Sequence, residues 1–332
     1  MDYRNRAIDT TMEQLLRAMG AVLLEGARGC GKTSTGLHHC QSSLRLDSSP
    51  QLVELAQLNP TELLKGAPPR LIDEWQLAPT LWNVVRHEID DRQLRGQFIL
   101  SGSATPADDV TRHSGAGRVA RVRMRPMSLA ESGRSTSDVS LRELGDADRV
   151  GGTSALDYVS LAREAVHGGW PALLTASSTE AILFNRSYVD DLCTSDIPMA
   201  NDVRHNPVRV RRLLESVSRN IASESTLANL AKDVSADGGP LDASTVRTYL
   251  DALTTVFAFE ELPAWSIALR SKSRLRTSAK LHLADPALAC AALGIGAERL
   301  ANDPEFFGQV LSLIHISEPT RRTPISYAVF CL

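Results

Sequence analysis

The alternation of apolar and polar positions over the first 125 residues predicts strands and helices in turn. Apolar runs of strand length occupy residues 21–24, 43–46, 70–73 and 97–100. The segments 8–19, 51–58 and 79–91 carry apolar side chains at helical spacing. Strands separated by helices of about 10 to 15 residues are typical of a doubly wound parallel sheet, so the predicted fold class is α/β.

The pattern changes in the second half of the chain. Residues 132–152 are rich in Ser, Gly and Asp and poor in apolar side chains, which predicts a linker. Two helices within 155–192 then frame the turn 167–171, where we expect Trp170 to lie in a core. Further helices at 207–222, 226–234 and 242–255, followed by a strand at 256–261, predict a winged-helix arrangement.

Composition and charge narrow the class of protein. The chain has 332 residues, of which 43% are hydrophobic and 23% charged, which is typical of globular domains. Its net charge of −3 gives no overall attraction to nucleic acid. The five cysteines are scattered without a CxxC pair, and no metal-binding cluster is visible along the sequence. No signal core and no apolar run of membrane-spanning length is present, so we expect a cytoplasmic protein that does not enter the membrane.

The strongest motif follows the first predicted strand. Residues 26–33, GARGCGKT, match the P-loop pattern GxxxxGK(S/T). Its glycines let successive backbone N–H groups turn toward phosphate oxygens, at the positive end of the following helix. The Lys32 ammonium can reach the β- and γ-phosphates, and the Thr33 hydroxyl can ligate Mg²⁺. The predicted ATP-binding residues are Gly26, Ala27, Arg28, Gly29, Cys30, Gly31, Lys32, Thr33 and Ser34.

Two consecutive carboxylates follow the strand at 70–73. Asp73 can hold Mg²⁺ through its water shell, and Glu74 can take a proton from the water that attacks the γ-phosphate. An acidic turn after a strand is common, so the pair gains its meaning from the preceding P-loop. We expect the strand that carries it to lie beside the P-loop strand, with the carboxylates near Thr33.

Two further residues are candidates for contact with the γ-phosphate. Ser101 ends the strand at 97–100, where it can act as a sensor, although a simple strand-to-loop transition explains it equally well. Arg118 follows the flexible segment 115–117 and can reach a γ-phosphate in cis or in a neighbouring subunit, or it can be an exposed solubilising residue. The arginines at 121, 123 and 125 alternate with apolar residues, which predicts an edge strand.

These motifs together resemble those of a prokaryotic AAA-superfamily ATPase family. The resemblance rests on GARGCGKT, LIDEWQ and FILSGSATP, and on the more specific segments RHSGAGRVARVRMRPMSLAESG, HGGWPAL and YVDDL. It implies an AAA module, a helical and winged-helix region, and a terminal domain of restriction-endonuclease-like fold. We divide the chain into an ATPase domain (1–131), a linker (132–152), a helical region (153–204), a winged-helix-like domain (205–295) and the start of a terminal domain (296–310).

The sequence therefore predicts an Mg²⁺-dependent ATPase that switches an unknown protein partner, in a chain that can form homo-oligomers. The competing class is a non-hydrolysing nucleotide-gated scaffold or a DNA-bound regulator. A P-loop kinase is disfavoured, because no acceptor-site motif is visible. Nucleic acid is a less favoured partner, since the third helix of the winged-helix segment is weakly acidic. The basic residues of the following hairpin instead favour contact with a phosphate backbone; they are Arg270, Lys272, Arg274, Arg276 and Lys280.

Residues 311–332 resemble a translated sequencing adaptor rather than a native protein segment. Segments 311–321 and 325–332 can be back-translated into sequences that resemble the two ends of a transposase-based library adaptor, with three residues between them in place of a sample index. A divergent native strand pair is the alternative, because several of these residues have fair β-propensity. We expect the segment to be a non-native tail that contributes nothing to the fold.

Overall fold

The structure is a computed structural model that describes residues 3–103, 115–138, 151–197, 206–235, 242–263 and 278–314. The chain divides into two compact units, residues 1–125 and 126–332. Among the described residues, none of the helices combines the length and the apolar character that are needed to cross a bilayer.

Five described strands of the first unit form one parallel sheet. They are β1 (Ala21–Gly26), β2 (Ser42–Arg45), β3 (Arg70–Asp73), β4 (Phe98–Gly102) and β5 (Val119–Met124), and their order across the sheet is β2-β3-β4-β1-β5. The predicted α/β class is confirmed, as is β5 as an edge strand. The predicted neighbourhood of β3 is wrong: β4 lies between β3 and β1, because β1 pairs with β4 and β5.

The burial of the strands agrees with their central or edge positions in the sheet. The central strands β1 and β4 have almost no polar side chains, and Ala21–Leu24 and Phe98–Leu100 are fully buried. Such continuous apolar runs need neighbours on both edges and both faces. Strand β2 alternates half-buried and exposed residues, as an edge strand does. The flanking helices are α1 (Asp9–Ala18), α2 (Lys32–His39), α3 (Pro50–Leu58), α4 (Pro60–Leu63) and α5 (Leu81–Arg92).

The second unit is mainly helical. Its described helices are α6 (Tyr158–His167), α7 (Ser178–Asp191), α8 (Pro207–Arg219), α9 (Leu227–Ser235), α10 (Ala243–Thr255), α11 (Pro286–Ala292), α12 (Ala297–Ala301) and α13 (Pro304–Ile314). Strands β6 (Phe259–Leu262) and β7 (Lys280–Leu283) form an antiparallel pair. Asp242 caps α10 as its position predicts, accepting a hydrogen bond from the Thr245 amide at 2.7 Å. The strand after α10 begins three residues later than predicted, because Phe257 has a φ of 58°.

Within this unit, the backbone of the turn before Trp170 lies in close contact with the backbone of Met127. The Met127 amide donates to the Gly169 carbonyl at 2.6 Å, and the Gly169 amide donates to Asp285 Oδ2 at 2.8 Å. Trp170 is 1% exposed, so the prediction that it lies in the core is confirmed. A Cβ on Gly169 would lie 2.0 Å from the Met127 carbonyl oxygen, which explains why glycine stands at this position.

Two predictions lie partly or wholly outside the described residues. Helix α13 continues through residues 311–314, across the predicted start of the non-native tail, and residues 315–332 are not described. Of the basic hairpin residues, only Lys280 is described. The winged-helix arrangement and the adaptor origin of the tail stay predictions.

Candidate nucleotide-binding site

The P-loop lies at the carboxyl edge of the sheet, between the end of β1 and the start of α2. Gly29 and Gly31 have φ values of 79° and 105°, in the left-handed region that glycine adopts without strain. Gly26 passes so close to β5 that a Cβ would lie 2.2 Å from the Met124 carbonyl oxygen. These glycines therefore form a tight loop that is followed directly by a helix N-terminus, the kind of position at which backbone N–H groups bind anions.

Lys32 is buried at the first position of α2. Its Nζ donates to the carbonyl oxygens of Gly26 and Ala27 at 2.8 and 2.9 Å. The side chain is thus folded against the loop that it is predicted to serve, and phosphate oxygens would replace these carbonyl contacts. Within the loop, Cys30 is buried, whereas Arg28, Gly29 and Ser34 are exposed to solvent.

Asp73 is the point at which three strand ends converge on the P-loop helix. Its carboxylate accepts hydrogen bonds from Thr33 Oγ1 at 2.9 and 3.1 Å and from the Ser101 hydroxyl. Arg45 Nε lies 3.7 Å from Asp73 Oδ2, and Asp73 is only 2% exposed. Asp73 pairs in register with Arg45 on β2 and with Ser101 on β4, so the sheet itself brings these side chains together.

Glu74 has an unusual backbone conformation, with φ 56° and ψ 41°. This left-handed conformation is uncommon for a residue with a side chain, and such residues are frequent at functional sites. The Gln76 side-chain amide donates to the Glu74 carboxylate. Gly102 provides the room for this turn, because a Cβ there would lie 2.6 Å from Gln76 Oε1. Gln76 thus holds the carboxylate that is predicted to activate water.

Arg118 lies far from the P-loop of its own chain. It precedes β5 at the amino edge of the sheet, where its carbonyl accepts from the Ala21 amide at 3.0 Å. The P-loop begins at Gly26, which pairs with Met124, six residues beyond Arg118 on β5, so the two lie about 20 Å apart along the strands. Its Nε also forms an ion pair with Asp90 at 2.6 Å. The predicted contact in cis is therefore wrong, and the contact in a neighbouring subunit stays a prediction.

Three side chains at the site were not predicted. Arg45 and Gln76 stand next to Asp73 and Glu74, respectively. Buried Arg6 donates from one guanidinium nitrogen to the Cys30 carbonyl at 2.8 Å and from the other to the Arg125 carbonyl at 2.8 Å, so it joins the P-loop to the end of β5. Arg45 had a usable signal, because it lies near the end of the strand predicted at 43–46, as Asp73 lies at the end of the strand predicted at 70–73. Arg6 had none, since its partners are 24 and 119 residues away.

Two regions of the chain match known protein families in sequence. Residues 19–133 match the family model described as AAA domain, and residues 159–299 match a domain of unknown function (DUF8612). The uncharacterized proteins Rv2008c of Mycobacterium tuberculosis and Mb2031c of Mycobacterium bovis are each 28% identical to this chain over 302 residues. Each alignment covers 87% of this chain, which spans only 59% of the length of either relative.

A solved structure supports the fold. The Walker-type ATPase paby2304 of Pyrococcus abyssi superposes with a TM-score of 0.52 at 13% identity, over 88% of this chain and 96% of that chain. The family model for the domain of unknown function, at residues 159–299, covers most of the predicted helical and winged-helix regions. The restriction-endonuclease-like terminal domain stays a prediction. Residues 19–133 are thus similar in sequence to the AAA domain family, and their parallel sheet carries a P-loop at its carboxyl edge.

Proposed function

We propose that this chain binds ATP with Mg²⁺ at the P-loop, hydrolyses it, and uses the nucleotide state to switch a partner protein. The observation that carries the proposal is the convergence of Thr33, Ser101 and Arg45 on buried Asp73, beside Lys32. P-loop chemistry needs this combination: a cation for the phosphates, a hydroxyl and a carboxylate for the metal, and a polar residue near the γ-phosphate.

The oxygen atoms at the site suit Mg²⁺. The Thr33 hydroxyl and the Asp73 carboxylate lie 2.9 Å apart, and both are hard oxygen donors of the kind that Mg²⁺ prefers. Mg²⁺ would neutralise phosphate charge and orient the phosphate chain. Among the chain's own residues, the loop amides and Lys32 would hold the phosphates, Ser101 would position Asp73, and Glu74 would accept the proton of the attacking water.

The partner is proposed from the remaining regions of the sequence. Residues 153–204 and 205–295 form the predicted helical and winged-helix regions, and we propose that they pass the nucleotide state to a protein partner. A homo-oligomer is proposed as well, because Arg118 can reach a nucleotide only in a neighbouring subunit. The 23% of charged residues are balanced in sign, so direct nucleic-acid binding is the less favoured function.

ATP binding is tested by thermal unfolding with and without the nucleotide. At about one hundred times the Kd, ATP with Mg²⁺ should stabilise the wild-type chain by about 2.7 kcal/mol and raise its Tm by several degrees. Lys32→Ala should remove that shift, because the phosphates lose their buried cation. Lys65→Ala is the matched control, since Lys65 is exposed and pairs only with Glu62 in the described contacts. Equal shifts in the Lys32 variant and the wild type would refute binding at this loop.

The metal site is tested separately with Asp73→Asn. We expect the Mg²⁺-dependent part of ATP binding to weaken by about 10- to 100-fold, because the amide loses the negative charge that orients the metal-bound water. Titrations of ATP with Mg²⁺ and with EDTA measure that part directly. Asp91→Asn on the exposed face of α5 is the control and should bind as the wild type does. An unchanged Mg²⁺ dependence in Asp73→Asn would place the metal elsewhere.

A further inference from the structure

Asp9, His38 and His39 lie together where the start of α1 meets the end of α2. Each offers one ligand atom, and these three atoms lie within 4.8 Å of one another. His39 Nε2 is 3.0 Å from Asp9 Oδ1. The group is separate from the nucleotide site, since it lies at the far end of α2 from Lys32, about 10 Å along the helix.

The chemistry of this group fits zinc. Two imidazole nitrogens and one carboxylate oxygen form a donor set that zinc commonly takes, with a water as fourth ligand. Two ligands at about 2.0–2.1 Å from a tetrahedral ion lie about 3.3 Å apart. The 3.0 Å between His39 Nε2 and Asp9 Oδ1 is close to that separation. An ion between these two atoms would replace the proton that the hydrogen bond now shares.

Neighbouring groups already hold the carboxylate in place. The Tyr3 hydroxyl donates to Asp9 Oδ1 at 2.6 Å, and the Arg6 amide donates to Asp9 Oδ2 at 2.7 Å. Oδ1 has two lone pairs, so it can accept from Tyr3 and still bind an ion. Burial raises the pKa of Asp9, but the hydrogen bonds from Tyr3, Arg6 and His39 together lower it by more. The pKa of the Asp9 carboxyl therefore lies below its ordinary value. Hydrogen bonds of this kind commonly orient metal ligands.

The two histidines differ in a way that allows an ion to enter. The His39 side chain is 8% exposed and that of Asp9 is 16% exposed, so packing fixes both. His38 is exposed, and its ring stacks on Tyr3 with 4.0 Å between ring centroids. The centroids of the two imidazole rings are 4.9 Å apart, with an angle of 81° between the ring planes. Two ligands are thus preformed, and the third closes the site from the solvent side.

We propose that Asp9, His38 and His39 bind one zinc ion, which joins the start of α1 to the end of the P-loop helix. The site would act as a structural clamp on the segment that carries Tyr3 and Arg6. It does not depend on ATP binding or hydrolysis, because none of its ligands belongs to the nucleotide site.

Zinc titration of the full chain without an affinity tag tests the proposal. We expect one Zn²⁺ per chain by calorimetry and metal analysis. Co²⁺, used as a spectroscopic substitute, should give the visible absorption of a tetrahedral site. His38→Ala should weaken binding by about 100-fold or more and should fold normally, because His38 is exposed. Asp9→Asn and His39→Ala should do the same. Tyr3→Phe should weaken binding by about 10- to 100-fold through the orientation of Asp9.

Two control variants distinguish zinc binding at this site from zinc binding elsewhere on the chain. His87→Ala removes an exposed histidine on α5 and should leave zinc binding unchanged. Lys32→Ala should bind zinc as the wild type does even if it loses ATP, so the two proposals fail independently. Zinc should raise the Tm of the wild type but not that of His38→Ala. Absence of zinc binding at micromolar concentrations, or equal affinity in His38→Ala and the wild type, would overturn the proposal and leave a hydrogen-bonded cluster without a metal.

Discussion

Replacing Glu74 by glutamine is expected to lower the rate of ATP turnover by about 10²- to 10⁴-fold and to leave the Kd for ATP nearly unchanged. The amide can still hold a water molecule, but it cannot accept a proton from it. The left-handed backbone at Glu74 and the hydrogen bond from Gln76 aim this side chain. The side-chain amide oxygen of the introduced glutamine can still accept that hydrogen bond. Phosphate release under saturating ATP measures the effect.

The matched control is Glu13→Gln, which changes an exposed glutamate paired with Arg17 on α1. It should turn over ATP at the wild-type rate. Unchanged turnover in Glu74→Gln, with ATP still bound, would disprove Glu74 as the base. Absence of turnover in the wild type itself, with the thermal shift intact, would favour the non-hydrolysing scaffold.

Replacing Gly169 by alanine is expected to destabilise the second unit by about 3 kcal/mol or more. The new Cβ would lie 2.0 Å from the Met127 carbonyl oxygen and 2.9 Å from the Met127 amide nitrogen. Both atoms belong to the backbone, so the contact is relieved only if the chain moves and the Met127–Gly169 hydrogen bond is lost. For a unit of this size the loss corresponds to a fall in Tm of about 6–12 °C, which calorimetry measures.

Gly296→Ala is the control for this variant. A Cβ at Gly296 meets nothing within 4 Å and its φ of −98° is open to alanine, so stability should change by no more than about 0.5 kcal/mol. An unchanged Tm in Gly169→Ala would mean that the Met127 segment is not held by this turn.

The P-loop, the Asp73-Glu74 pair and the α/β class were all predictable from the sequence, because each depends on a local pattern. A glycine-rich loop between an apolar run and a helical segment has few other physical solutions. The prediction of Trp170 as a core residue succeeded for a similar reason. A large apolar side chain between two amphipathic helices has to be buried somewhere.

The positions of the strands were decided by the tertiary structure. No local pattern predicts that β4 lies between β1 and β3, since strand order depends on how whole elements pack. That order places Ser101 against Asp73 in register and so makes Ser101 a neighbour of the carboxylate that is proposed to hold the metal. The parallel direction of β1 and β5 places Arg118 at the opposite edge from the P-loop, because a residue before one strand and a residue after a parallel strand lie at opposite ends of a sheet.

Contacts between distant residues were likewise invisible along the chain. The sequence showed no metal-binding cluster, yet Asp9 lies beside His38 and His39, about thirty residues away, once α1 and α2 pack on the sheet. Arg6 reaches Cys30 and Arg125 in the same way. Local pattern therefore determined which chemistry the chain carries, and the packing of helices on the sheet decided which side chains can act together, because only folding brings remote residues within hydrogen-bonding distance.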